Sequence, residues 1–224
     1  MHLRKPIQPE VHYSFKAGTG HAVLPSKEKP FKIGLYAASF DPVHAGHIVF
    51  ALQAQKVASL DQVCFLPERR PQHNPDPEHY VHRAVMLRHA LKPHRQFSVF
   101  DLPDARLTAS SLARVRQEQP TAEFSLLTTA GELLWHEGDL PVLYERLPLV
   151  VAVTSHAQMA EVLARVHATD RHYQTITFVD IGKDHISSAS VRKGLRHNQS
   201  VRGLLPSVVR YARQQWLYIS PHKS

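Results

Sequence analysis

Two short segments concentrate side chains that bind anions. The first reads Ser39-Phe40-Asp41-Pro42-Val43-His44-Ala45-Gly46-His47 and runs straight into the apolar stretch Ile48-Val49-Phe50. It follows the apolar run Ile33 to Ala37, so two imidazoles fall between the end of a strand and the start of a helix. A helix start offers unpaired backbone N–H groups and a partial positive charge, and anions bind there without a glycine-rich loop. His44 and His47 add ring N–H donors, Gly46 lets a ligand approach the backbone, and Asp41-Pro42 suits a turn that redirects the chain.

The second segment is Ile186-Ser187-Ser188-Ala189-Ser190-Val191-Arg192. Ser187 or Ser188 caps a helix, and Arg192 follows about one turn later. A guanidinium is suited to such a place because its planar fork grips two phosphate oxygens and stays charged. Plainer accounts stand beside these. His-x-x-His can arise by chance in a chain with 17 histidines, and the second segment also reads as a capped, basic surface helix. A metal pair is the third account, but the spacing supplies no third ligand and lacks the His-Glu-x-x-His form, so no metal site is expected.

Elements of alternating type must position these groups. Short apolar runs at 33–37, 63–66, 97–100, 124–127, 149–153 and 175–179 predict strands. Segments of helical length separate or follow them at about 47–58, 79–91, 108–118, 156–167, 188–196 and 206–216. Such alternation predicts an α/β fold with a Rossmann-like, doubly wound, mostly parallel sheet covered on both faces, because parallel strands need long crossovers. In that architecture ligands sit beyond the carboxyl ends of the strands, where both segments fall. Residues 1–30 are polar, rich in Pro, Lys and His, and show no sustained period; they predict an N-terminal extension to a single domain over 31–224.

Composition narrows the classes. The chain has 224 residues, 43% of them apolar and 21% charged, which fits a globular protein. No run approaches the roughly 18 apolar residues of a membrane span, and the first residues lack a signal-peptide core, so a cytoplasmic protein without a membrane partner is expected. The single Cys64 lies between Val63 and Phe65 and predicts a buried strand thiol. Glycine is scarce at 9 residues, and neither Gly-x4-Gly-Lys-Ser/Thr nor Gly-x-Gly-x-x-Gly occurs, so the common phosphate loops are excluded. The formal charge of +8 suits anionic ligands. Nucleic acid is not the expected one, because the basic residues are spread along the chain with few aromatics among them.

Together the two segments resemble the nucleotidyltransferases that carry His-x-Gly-His and Ile-Ser-Ser-x-x-x-Arg motifs, and among these the bacterial nicotinate-nucleotide adenylyltransferase family. The resemblance spans about residues 31–220. It also rests on Leu66-Pro67, Pro71-Gln72-His73, Arg83-Ala84-Val85-Met86-Leu87 and the closing stretch Leu205-Pro206-Ser207-Val208-Val209-Arg210-Tyr211 to Trp216-Leu217-Tyr218. It implies adenylyl transfer from ATP, with Mg²⁺ assisting, to nicotinate mononucleotide, giving deamido-NAD and pyrophosphate in NAD biosynthesis. By the same resemblance, His44, His47 and Arg192 would be catalytic. Ser39, Phe40, Gly46, Ile186, Ser187 and Ser188 would bind ATP, and His73, Arg83, Thr108 and Trp135 would face the acceptor.

The sequence departs from the family pattern mainly on the acceptor side. Ala37-Ala38 stands where the family carries Gly-Gly, and Asn74 where a Lys or Arg follows the histidine. Thr128-Thr129-Ala130 replaces a Gly-x-Asp motif, Trp135 comes a few residues early, and Arg106-Leu107-Thr108 stands for Ser-Tyr-Thr. Two alternatives therefore stay open: transfer to a different phosphorylated acceptor, or a non-catalytic nucleotide-binding homologue. A homo-oligomer is compatible with all of them.

Overall fold

The apolar runs form strands β1 (Lys32–Ala38), β2 (Gln62–Pro67), β3 (Phe97–Val99), β4 (Glu123–Thr129), β5 (Leu149–Val153) and β6 (Ile176–Asp180). The structure, a computed structural model, describes residues 29–219 except 73, 103, 136–141, 169–172, 183–185, 198, 200 and 201. The expected extension over 1–30 lies almost wholly outside the described residues. All neighbouring strands pair in parallel, in the order β3-β2-β1-β4-β5-β6. The chain winds outward from β1 through β2 to β3, then returns to the other side of β1 to lay down β4, β5 and β6. The strand order therefore switches direction between β1 and β4, which is where a crevice opens in such sheets.

The helices are α1 (Ala45–Val57), α2 (Tyr80–Leu91), α3 (Ala109–Glu118), α4 (Ala130–Trp135), α5 (His156–His167), α6 (Ser188–Arg196) and α7 (Pro206–Gln214). Every expected strand and helix is found with its ends shifted by two residues at most; α4 is the addition. It escapes a pattern search because six residues are too few to show a 3.6-residue period. Thr129 starts it, its hydroxyl accepting from Glu132 N–H at 3.1 Å. Pro206 opens α7, where its missing N–H costs nothing.

Alternation along the strands sorts two cores. In β1 and β2, Tyr36, Val63 and Phe65 pack with Ile48, Phe50, Ala51 and Ala54 of α1, with Met86 and Leu87 of α2, and with Val208 and Ala212 of α7. Leu35, Cys64 and Leu66 point the other way, to Leu112 and Val115 of α3, Leu133 of α4 and Val162 of α5. Period-two side chains on a sheet covered on both faces produce this division. Cys64 is buried as expected, and burial pushes its thiol up to about 11, which keeps it protonated. Among the described residues no helix is long and apolar enough to cross a membrane.

Candidate active site

A cleft lies over the carboxyl ends of β1 and β4, in two joined parts. One part, about 300 Å³, runs along the starts of α1 and α6 and is lined by His44, Gly46, Ile181, Ile186 and Ser187. The other, about 280 Å³, lies towards β2 and α4 and is lined by Ala37, Ser39, Glu68, Asn74, Glu132 and Arg192. Tyr36, His47, Thr129 and Ser188 line both. The two anion-binding segments, residues 39–47 and 186–192, thus meet at one junction.

The turn after β1 holds His47 in place. Phe40 has a left-handed backbone, with φ of 47°, a conformation that costs a non-glycine residue about 1–3 kcal/mol. Its ring is fully buried, 5.3 Å from Tyr36, 5.5 Å from Phe65 and edge-on to His47 at 5.1 Å between centroids. Core packing therefore stabilises the turn. The expectation that Phe40 lies against ATP is corrected for its side chain, which is spent on this anchor.

His47 accepts a hydrogen bond at Nδ1 from the backbone N–H of His44, at 3.2 Å. That contact puts the imidazole proton on Nε2 and leaves Nε2–H as the donor. Burial, and then the neighbouring His44, hold the ring well below the ordinary histidine pKa, so it is neutral at pH 7. The two imidazoles stack with centroids 3.8 Å apart.

Gly46 lets them do so. A Cβ there would come within 3.0 Å of the His44 ring and 3.3 Å of the Ile186 carbonyl. The space that sequence reasoning reserved for ligand is partly filled by protein. The start of α1 is also not wholly free, because Ala45 N–H donates to Gly203 C=O at 2.8 Å. Gly203 has φ of 76°, and a side chain there would overlap Ile186, so this glycine ties the two phosphate-type segments together.

On the second segment, Ser187 caps α6 by accepting from Ser190 N–H at 3.1 Å. Ser188 Oγ donates to Pro42 C=O at 3.3 Å, and Arg192 Nη1 donates to Asp41 C=O at 2.7 Å. Asp41 itself is fully buried. Its carboxylate accepts from Tyr218 Oη at 2.6 Å, Asn74 Nδ2 at 2.5 Å and Glu78 N–H at 3.4 Å. Sequence reasoning gave Asp41 only a turn, whereas the structure makes it the knot joining the His segment, Asn74 and the chain end.

The residues expected on the acceptor side are placed differently. Arg83 is fully buried, and its guanidinium donates to the carbonyls of Ser39, Glu68, Arg69 and Glu78. It fixes the ends of β1 and β2 and is not among the residues lining the cleft, which corrects the expectation of acceptor contact. Thr108 caps α3, accepting from Ser111 N–H at 3.2 Å, and its hydroxyl also donates to Asp104 at 2.9 Å. Trp135 ends α4 half-exposed, three residues after Glu132 of the cleft wall. His73 lies outside the described residues.

Glu68, Thr128, Thr129 and Glu132 were missed. Each follows or ends a strand at the same edge of the sheet, so the rule that selected Ser39 would have selected them. Neither Ala37 nor Ala38 has a positive φ; alanine fits the backbone there, and both residues border the cleft.

Comparison with known proteins agrees with this geometry. Residues 35–194 match the cytidylyltransferase-like family. A protein of Carboxydothermus hydrogenoformans named as a probable nicotinate-nucleotide adenylyltransferase is 30% identical over 185 residues, covering 78% of this chain and 91% of its own. One of Thermus thermophilus with the same name is 30% identical over 196 residues, covering 84% and 99%. The chain belongs to the nicotinate-nucleotide adenylyltransferase family, within the cytidylyltransferase-like group. The fold of this family member is also that of Plasmodium falciparum nicotinic acid mononucleotide adenylyltransferase complexed with NaAD. The TM-score is 0.68 at 17% identity, covering 84% of this chain and 97% of the other. The same enzyme complexed with APC gives 0.65.

Proposed function

We propose that the chain transfers the adenylyl group of ATP to the phosphate of nicotinate mononucleotide, releasing pyrophosphate and forming deamido-NAD. The observation that carries this reading is the junction itself. Tyr36, His47, Thr129 and Ser188 border both parts of the cleft, so two nucleotides bound in the two parts would meet beside His47. The apolar wall of Val49, Phe50, Ala152, Ile181 and Ile186 suits a purine.

A phosphate nucleophile is already ionised at neutral pH, so the reaction needs neither a general base nor a covalent intermediate. Alignment and stabilisation of charge on the transferring phosphorus and departing pyrophosphate are what the protein supplies. In this account His47 donates its Nε2–H to a phosphate oxygen as a neutral group that titrates little near pH 7. His44, Ser187, Ser188 and Arg192 hold the triphosphate, while the Asp41 knot keeps Arg192 and the turn in register.

Among the described residues no three carboxylate, histidine or thiol groups converge to hold a metal ion. The donors beside the junction are imidazole, hydroxyl and guanidinium, which suit anions. Mg²⁺ would enter as the counter-ion of the triphosphate, part of the substrate. Soluble nucleotides as substrates imply action in the cytoplasm.

Pyrophosphate release with ATP, Mg²⁺ and nicotinate mononucleotide tests the reading. His47→Ala should lower kcat by about 10²–10³, the usual cost of one preorganised donor. Absence of turnover with both nicotinate and nicotinamide mononucleotide overturns it.

A further inference from the structure

Tyr36, His47, Thr129 and Ser188 border both parts of the cleft, so they surround the point where two nucleotides would meet. Ser188 gives its hydroxyl proton to Pro42 C=O, and Thr129 uses its hydroxyl oxygen to start α4. His47 keeps its Nε2–H for a ligand, because its Nδ1 is taken by the His44 N–H. Tyr36 is the fourth, and neither anion-binding segment contains it.

The Tyr36 side chain is held from several directions. Phe40 and Phe50 meet its ring edge-on, each with centroids 5.3 Å away, and Phe65 is tilted against it at 5.4 Å. Its backbone lies inside the sheet, opposite Phe65 of β2 and Leu127 of β4. Such packing on a central strand leaves the phenol little freedom to move. A buried tyrosine ordinarily finds a hydrogen-bond partner for its hydroxyl. Among the described residues the Tyr36 hydroxyl makes no hydrogen bond, and its oxygen is not sealed from solvent. The open space that Tyr36 borders is the cleft, so the hydroxyl faces the junction.

We propose that Tyr36 is a catalytic residue: its hydroxyl, together with His47 Nε2–H, donates a hydrogen bond to a non-bridging oxygen of the α-phosphate as that group passes from pyrophosphate to the acceptor phosphate. This rests on the function proposed above and adds a residue to that same site. The bond from the α-phosphorus to the pyrophosphate oxygen breaks, the bond to the acceptor phosphate oxygen forms, and the phenol keeps its proton throughout. Burial raises the Tyr36 hydroxyl pKa above the ordinary tyrosine value, so near neutrality the group is a donor and not a base. A neutral donor fixed before the reaction begins stabilises developing charge without having to reorganise.

Tyr36→Phe removes the oxygen alone and keeps the ring contacts, so the full chain should fold with an unchanged melting temperature. With ATP, Mg²⁺ and nicotinate mononucleotide, kcat should fall about 10²-fold, the cost of one preorganised donor. KM for both substrates should stay within about twofold, as should the affinity for a non-hydrolysable ATP analogue measured by calorimetry. That split marks a bond that strengthens only in the transition state. A kcat equal to that of the native chain overturns the inference while leaving adenylyl transfer in place. So does a loss confined to KM or to the melting temperature, which would make the hydroxyl a ground-state or packing contact. Absence of turnover by the native chain with both mononucleotides overturns the inference and the function together.

Discussion

The two parts of the cleft are built on different plans: among the described residues one has no acid or guanidinium on its wall, and the other sets two acids beside a guanidinium. Beside α1 and α6 the walls carry a neutral imidazole and serine hydroxyls, His47 and Ser188 each held by a backbone partner, so these groups are fixed before any ligand arrives. Towards β2 and α4 two acids, Glu68 and Glu132, share the wall with the Arg192 guanidinium, which donates to Asp41 C=O. Reading one set of residues from a family motif works where the backbone dictates the side chain. It says less where a side chain's role depends on partners from elsewhere in the chain, as with Arg83 and the four carbonyls it serves. The two plans share one support, and removing it should damage both.

That support is Arg83. Its guanidinium satisfies the carbonyl of Ser39, which opens the turn carrying His44 and His47, and those of Glu68 and Arg69 after β2 and of Glu78. An unsatisfied buried carbonyl costs about 1–3 kcal/mol. Arg83→Ala should therefore lower stability by roughly 3–5 kcal/mol, allowing for water that enters the space. Chemical denaturation measures the loss, and the affinities for ATP and for the mononucleotide should fall together. A loss confined to the mononucleotide, with stability retained, would show that Arg83 touches the acceptor after all.

The two parts should also respond to acid with opposite signs. His47 in the fold has a depressed pKa, so the unfolded chain takes up its proton first, and stability falls as pH drops below about 6.5. Glu68 in the fold has a raised pKa near 7, so between about 7 and its ordinary value the folded chain holds the extra proton, and stability rises as pH drops. Each group can contribute a slope of at most about 1.4 kcal/mol per pH unit. Thermal melts between pH 7.5 and 5 should show His47→Gln relieving the acid loss and Glu68→Gln deepening it. Shifts of the same sign for both variants would remove the electrostatic contrast.

How much was legible in the sequence divides along the same line. The strands and helices were legible because apolar runs and long crossovers leave few alternatives to a doubly wound sheet. The junction was legible because His44, His47, Ser187 and Arg192 fall where strands end and helices begin. Partners distant in sequence were not. Nothing in the neighbourhood of Asp41 announces Tyr218 as its hydrogen-bond donor, 177 residues away. Arg83 sits in a helix whose pattern says only that one side is buried; that a guanidinium is buried there requires knowing which carbonyls converge on it. Phe40 and Gly46 are expected to touch ligand, and their support of the histidines is visible only in the fold. In each case the role depends on what fills the space beside the residue.

The alanine pair offers the finest test of the contrast. Ala37 and Ala38 end β1 with backbone angles that any residue adopts, so glycine is not required there for conformation. Replacing Ala38 by Gly should cost about 0.5–1 kcal/mol of stability through the greater freedom of the unfolded chain. It should also remove a methyl group from the wall of the acceptor part while leaving the ATP part untouched, because neither alanine lines the latter. A methyl-sized change in a pocket is worth about 1–3 kcal/mol only when ligand packs against it. The expected outcome of Ala38→Gly is a change of a few fold in KM for the mononucleotide, with KM for ATP unaltered. The direction reports on the fit: a lower KM means the methyl crowds the acceptor, and a higher one means the cleft has closed around it. Equal movement of both KM values would mean that the two parts of the cleft are coupled through β1, and that the division drawn between them holds for charge but not for packing.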